Sequence, residues 1–198
     1  MMTSIAVFAL VVIAMVSLQI FGFKINSLTS NKMRSTADSL AVLDQVRNLI
    51  RGATNGVLIG NFNTGNNTFT AVTNGGSAIG GAVLITNNPT SFVVFFVNTN
   101  IVNTSGFTTN TFTLCEYGTN NPAVVNKQFT TLAHNLINRQ PFQAEDYNGN
   151  TIVAGAPGHY TVKITLQFSN WLYAIPSNAY DTYRLESRAT PRAQFDQN

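Results

Sequence analysis

Residues 5–23, IAVFALVVIAMVSLQIFGF, run directly into residues 24–51, KINSLTSNKMRSTADSLAVLDQVRNLIR, and the reading of this pair decides the fold. In the first segment only Ser17, Gln19 and Gly22 interrupt nineteen otherwise apolar positions. At 1.5 Å per residue such a helix is about 28 Å long, close to the hydrocarbon thickness of a bilayer. The second segment contains neither Pro nor Gly before Arg51. In it Ile25, Leu28, Met33, Ala37, Leu40, Leu43, Val46 and Ile50 recur mostly every three or four residues. Lys24, Lys32, Arg34, Asp38, Asp44, Arg47 and Arg51 fill the other face, and GATNG (52–56) supplies the stop. The pattern predicts one rod of roughly 70 Å, membrane-length at its start and amphipathic at its end. Gly22 and the polar stretch 26–31 are its weakest points against bending.

A secretory signal would place basic residues before the apolar run and an A-x-A-like exit after it. Neither is present; the charges Lys24, Lys32 and Arg34 follow the run instead. Taken literally, that distribution directs the C-terminal bulk to the cytoplasm. The composition of that bulk argues the other way, and a basic leader upstream of Met1 would reconcile the two.

Beyond Gly52 the period changes. GVLIGNF, NTFTAV, GGAVLIT, SFVVFFVN, NTFTLCEYG and NTIVAG read as short strands between Asn/Gly turns. HYTVKITLQFSNWLY alternates, with Tyr160, Val162, Ile164, Leu166 and Phe168 on one face, and YDTYRLESRATPR supplies a last strand. KQFTTLAHNLINRQPFQAED reads as a strand followed by a turn or a short helical piece. TNGGSAIGGA lacks phosphate-loop spacing and reads as a hinge or hairpin turn. The 25 Asn and 24 Thr suit turns and pleated surfaces, while charged residues make up only 10% of the chain. The expected architecture is α+β: a long N-terminal α-helix, hydrophobic then amphipathic, packed on an antiparallel β-sheet head. Its parts are a helical region 1–53 and a β-rich head 54–198, outside the cytoplasm.

Candidate chemistry is sparse. The net charge is +3, but the basic residues are scattered without aromatic interleaving, which argues against nucleic acid. Cys115 falls within an alternating strand and reads as a small buried side chain, although a nucleophile pair with a histidine is conceivable. His134 and His159 lie in different segments, and no zinc-ligand spacing exists. EDYNGN (145–150) faintly resembles a calcium loop, but its glycine is misplaced and no closing Glu follows; a turn at Asn148-Gly149 is the better reading. Arg184, Arg188 and Arg192 recur every four residues, which would place them on one face of an extended strand. That face either meets an acidic partner or keeps an edge strand soluble. The N-x-S/T triplets at Asn66 and Asn103 arise by chance in so Asn- and Thr-rich a chain. No cofactor and no catalytic set is expected.

Taken together, the rod and several strings of the head resemble the type IV pilin and type II secretion pseudopilin family. MMTSIAVFALVVIAMVSLQIFGFK is similar to the stretch that follows that family's prepilin peptidase motif, G-F-T-L-x-E or close to it. LCEYG, TLAHNLINRQPFQAEDYNGN, YTVKITLQF and YDTYRLESRATPR are similar to minor-pseudopilin heads. The glycine, phenylalanine and glutamate of the motif are absent here, so the resemblance places them upstream of Met1. It implies a non-enzymatic subunit, inserted as a single pass in the bacterial inner membrane before assembly. It further implies a periplasmic or cell-surface filament built by a separate platform protein and ATPase. In that filament Phe8, Val12, Met15, Leu18 and Phe21 would exchange lipid for helices of other copies, a gain in shape fit rather than in escape from water. The resemblance does not separate a pilus from a secretion pseudopilus. Two other functions stay open: a monomeric membrane-anchored binding module, and a membrane-tethered hydrolase.

Overall fold

The computed structural model describes residues 2–73, 75–88, 91–104, 107–118, 129–153, 160–171 and 180–192. One helix, α1 (Met2–Gly52), is followed by ten strands: β1 (Val57–Asn63), β2 (Thr68–Ala71), β3 (Ile79–Gly80), β4 (Ala82–Asn88), β5 (Ser91–Thr104), β6 (Phe107–Gly118), β7 (Thr130–Leu136), β8 (Phe142–Glu145), β9 (Thr161–Trp171) and β10 (Tyr180–Ala189). The class is α+β.

The helix is continuous through Gly22 and through residues 26–31. With no Pro, nothing in the backbone interrupts its ladder, and 51 residues make it about 76 Å long. It ends where GATNG was expected to end it. The Ala53 amide still reaches Ile50 O at 3.2 Å; Asn55 then donates to Thr86 O and Thr86 to Gly56 O, both at 2.9 Å, tying the helix end to β4. Gly56 has φ of +118°, a conformation that a side chain would disfavour.

The docked part of α1 is shorter than the amphipathic spacing suggests. Ser39 is buried, and Val42, Leu43, Val46 and Ile50, the last two fully buried, join one cluster with Leu136, Ile164, Leu166 and Phe168 of the sheet. Ser39 Oγ lies 2.9 Å from the Tyr183 hydroxyl, and Tyr183 stacks on Phe168 with ring centroids 5.0 Å apart. Four expected members of the stripe do not join: Ile25, Met33 and Leu40 are 46%, 68% and 45% exposed, and Ala37 is exposed. The Leu28 side chain lies outside the described residues. The reason is reach. The head covers only about three turns of the helix, so the apolar positions before Ser39 have no sheet to meet, and Leu40 points about 100° round the helix from the buried Ser39.

Every strand pairing is antiparallel. The sheet runs β2-β1-β4-β5-β6-β7-β9-β8-β3, with β10 on the outer side of β9. β3 and β4 are separated only by Gly81, so one stretch of chain, 79–88, pairs with β8 at one end and with β1 and β5 at the other. This draws β8 toward β1 and curls the sheet into a half-barrel. The curl requires bare backbone. A Cβ on Gly80 would fall on the carbonyl oxygen of Gly60, and one on Gly60 would fall on the carbonyl oxygen of Thr70.

Alternation in β9 places Val162, Ile164, Leu166 and Phe168 inside, as the sequence pattern predicts, with Tyr160 packed against the same core. On the opposite face of β1, β2 and β4–β6, Phe62, Phe69, Phe96 and Tyr117 form a second apolar cluster with Cys115, and Phe129 packs edge-on against Phe96. Two segments differ from expectation. Residues 130–145 hold no helical turn: β7 and β8 are strands broken at Ile137–Pro141, where the Asn138 amide bonds Thr165 and Gln167 of β9. NTIVAG contributes only isolated bridges at Thr151 and Val153, because its neighbours in the half-barrel are already paired; its last residues lie outside those described.

Candidate functional site

Four surfaces among the described residues carry features that can act on something outside the chain. The first is the apolar segment of α1. Val7–Asn26 is long and apolar enough to cross a membrane, and none of it is buried by the head. Phe8, Val12, Met15, Leu18 and Phe21 are 71%, 41%, 63%, 69% and 62% exposed. So are their neighbours Leu10, Ile13, Ile20 and Phe23. The whole circumference is apolar, and no one face is set apart. At about 25 cal/mol per Å² of apolar surface, water is a poor solvent for such a rod; lipid or other helices must cover it. Between this segment and the docked turns, Lys32, Met33, Ala37, Asp38 and Leu40 are exposed, so about 20 Å of helix stands clear of the head.

The second surface is the outer face of β8, β9 and β10. Outward positions there are polar because the inward ones supply the core. Lys163 lies directly opposite Arg188, a like-charge pair that alone would be unfavourable. Glu145 resolves it. Its carboxylate, 1% exposed as a residue, accepts from Lys163 Nζ at 3.0 Å and from Arg188 Nε at 2.9 Å. Glu186 sits diagonally, 3.5 Å from Lys163, 3.1 Å from Arg188 Nη1 and 2.7 Å from Arg184 Nη2. Burial pushes the Glu186 carboxyl up, but the Arg184 hydrogen bond and the charges of Lys163, Arg184 and Arg188 outweigh it and hold it below its usual range. The hydrogen bond from Arg188 to Glu145, with that carboxylate's charge, holds the guanidinium still more firmly protonated.

Third, a cleft of about 540 Å³ opens at the end of this face, lined by Arg51, Gly52, Thr161, Arg188, Thr190 and Arg192. The Thr161 and Thr190 hydroxyls bond each other at 3.0 Å. A second cleft of about 510 Å³ lies where the sheet curls, between Asn61, Gly81, Phe112 and Arg139, with the Arg139 guanidinium 5.7 Å from the Phe112 ring centroid.

Arg184 and Arg188 do share the outer face of β10, which pairs with β9 alone, and Arg192 follows just past the strand. Cys115 is 2% exposed, its sulfur 3.6 Å from Thr113 Oγ1 and 3.9 Å from Thr131 Oγ1. His134 is exposed on β7; His159 lies outside the described residues. EDYNGN is a turn: the Asp146 carboxylate accepts the Asn148 and Asn150 amides at 2.9 and 2.8 Å, and Gly149 has φ of +84°. Those hydrogen bonds, the Asn150 amide first, hold the Asp146 carboxyl below its ordinary value. Asn66 lies in the turn between β1 and β2, and Asn103 within β5.

Sequence reading missed Glu145 as the pivot of the charge ladder and Arg51 as a neighbour of Arg188 and Arg192. Both depend on residues far apart in the chain, 43 positions in the case of Glu145 and Arg188. No family model, curated protein or solved structure matches this chain.

Proposed function

We propose that this chain is a structural, non-enzymatic subunit of a bacterial type IV pilus-like or type II secretion pseudopilus filament. Val7–Asn26 holds it in the inner membrane before assembly, with the head outside the cytoplasm; in the filament the same segment packs against other copies. An assembly platform protein and an ATPase would do the work of extraction, since exchanging lipid for packed side chains gives little net drive. The observation that supports this reading most is the continuity of α1. A membrane-length apolar helix, exposed on every side, runs without a linker into turns rigidly docked on the head. Such a joint transmits an axial pull from the membrane segment to the head, which a flexible tether would not.

The exposed helical stretch around Met33 to Leu40 favours a second reading, a single anchored module on a stiff stalk, and one experiment separates the two. Phe8→Cys/Leu18→Cys in a Cys115→Ala background, with two thiols about 15 Å apart along the helix, is oxidised in membranes of the cells that make the protein. A filament subunit, whose two thiols each reach a different copy, gives a ladder of disulfide-linked species extending beyond dimers. Monomer alone, or nothing beyond dimers, would overturn the filament reading and leave the anchored module.

A further inference from the structure

The outer face of β8–β10 is close to balanced in charge except at its end. Glu145 and Glu186 answer Lys163, Arg184 and Arg188. Arg51 and Arg192 face the cleft with no carboxylate lining it and no ion pair among the described residues. Across these seven side chains the cations exceed the anions by as much as the formal net charge of the whole chain, +3. Arg188 joins them in a fixed pose. Its Nε and Nη1 are committed to Glu145 and Glu186, which fixes the guanidinium and leaves Arg51 and Arg192 as the unanswered charges of the cleft. Thr161 and Thr190 add two hydroxyls at the wall.

We propose that this cleft binds a phosphate-class oxyanion carrying two or more negative charges, with Arg51 and Arg192 as its direct ligands and Arg188 and the threonine hydroxyls beside them. Guanidinium groups present rigid forks of N–H donors that match phosphate oxygens in pairs. A single carboxylate would leave half of the charge of Arg51 and Arg192 unmatched, whereas a phosphate dianion or a diphosphate would meet it. The headgroups of the bilayer around Val7–Asn26 are not the source: 25 residues of helix, about 37 Å, separate Asn26 from Arg51. The ligand is therefore a soluble phosphate compound or a phosphate-bearing polymer. This inference stands apart from the filament reading: the site uses only the head and the last turn of α1, and the apolar segment enters only to exclude headgroups.

The test is calorimetric titration of the full chain, in neutral detergent at low ionic strength, with inorganic pyrophosphate and separately with long-chain polyphosphate. Saturable binding that weakens as salt is added is expected with pyrophosphate. The Arg51→Gln/Arg192→Gln double variant should lose at least about tenfold in affinity. Arg184→Gln, on the same face but outside the cleft, should stay within about twofold. Thermal unfolding checks that the variants are folded, and both substituted positions in the double variant are exposed. Tighter binding of polyphosphate, lost in the same double variant, identifies a polymer; equal or weaker binding identifies the small anion. No saturable heat with either probe, or equal losses for the double variant and Arg184→Gln, would overturn the proposal.

Discussion

Replacing Ile50 with Ala removes three carbons from a side chain with 0% exposure, in the last docked turn of α1. At about 0.8 kcal/mol per buried methylene, the transfer term alone is roughly 2.4 kcal/mol. The site is walled by the helix end, tied to Thr86, and by the sheet core, so it can collapse only in part. A residual cavity brings the expected loss to about 3–4 kcal/mol. Leu40→Ala is the matched control: it sits on the same helix, 45% exposed and outside the core cluster, and should cost no more than about 0.5 kcal/mol. Urea unfolding of the full chain in detergent, followed through Trp171, the single tryptophan, reads both. The Ile50→Ala midpoint should fall well below that of Leu40→Ala with the same slope. If the two variants unfold within about 0.5 kcal/mol of each other, α1 does not dock on the sheet through this turn and the account of the fold fails.

Other outcomes follow from particular contacts. Burial pushes the Tyr160 hydroxyl, which donates to the Val57 carbonyl, up to about 12. Stability is therefore full below pH 10, where the unfolded chain's tyrosine stays neutral, and is lost as pH rises from 10 to 12; the loss is on the order of 2–3 kcal/mol. Tyr160→Phe should remove that alkaline slope while costing about 1 kcal/mol at neutral pH, and an unchanged slope in the variant would contradict the assignment. Gly80→Ala should lower stability by about 3 kcal/mol or more, because its Cβ meets the Gly60 backbone and not a yielding side chain; thermal unfolding near the wild-type midpoint would show that the sheet does not curl there. The Asp146 carboxyl, followed by NMR through a pH titration, should have its midpoint below 3.8, and Asn150 amide protection should fade as pH drops through it. A midpoint at or above 3.8 would mean the turn does not hold its carboxylate.

The helix was legible because its signal is local: an uninterrupted apolar run, then a spacing of three and four with no Pro or Gly before Arg51. The strand of Val162, Ile164, Leu166 and Phe168 was legible for the same reason at period two. What periodicity could not separate was Met33, Ala37 and Leu40 from Leu43, Val46 and Ile50. All six recur at three or four residues, and the extent of the sheet, with the direction each position faces on the docked turns, decides which are covered. Strand pairing was equally hidden. Nothing near Gly81 in sequence says that the residues on its two sides join different parts of the sheet, or that Asn138 will bridge to β9. The charge ladder was half legible. The four-residue recurrence of Arg184, Arg188 and Arg192 pointed to one face, but their meaning depends on Glu145 from β8 and Arg51 from the helix. Those positions meet only through the fold.

The contact between Ser39 and Tyr183 spans 144 residues. The helix is synthesised before every strand of the sheet, and β9 and β10, which cover its docked turns, follow the other described strands. Until they emerge, Val42, Val46 and Ile50 present a naked oily ridge. Such late-closing topologies fold slowly and expose sticky intermediates. A nascent chain of this kind needs its ridge shielded, by a chaperone or by the membrane surface, until the final hairpin arrives to cover it.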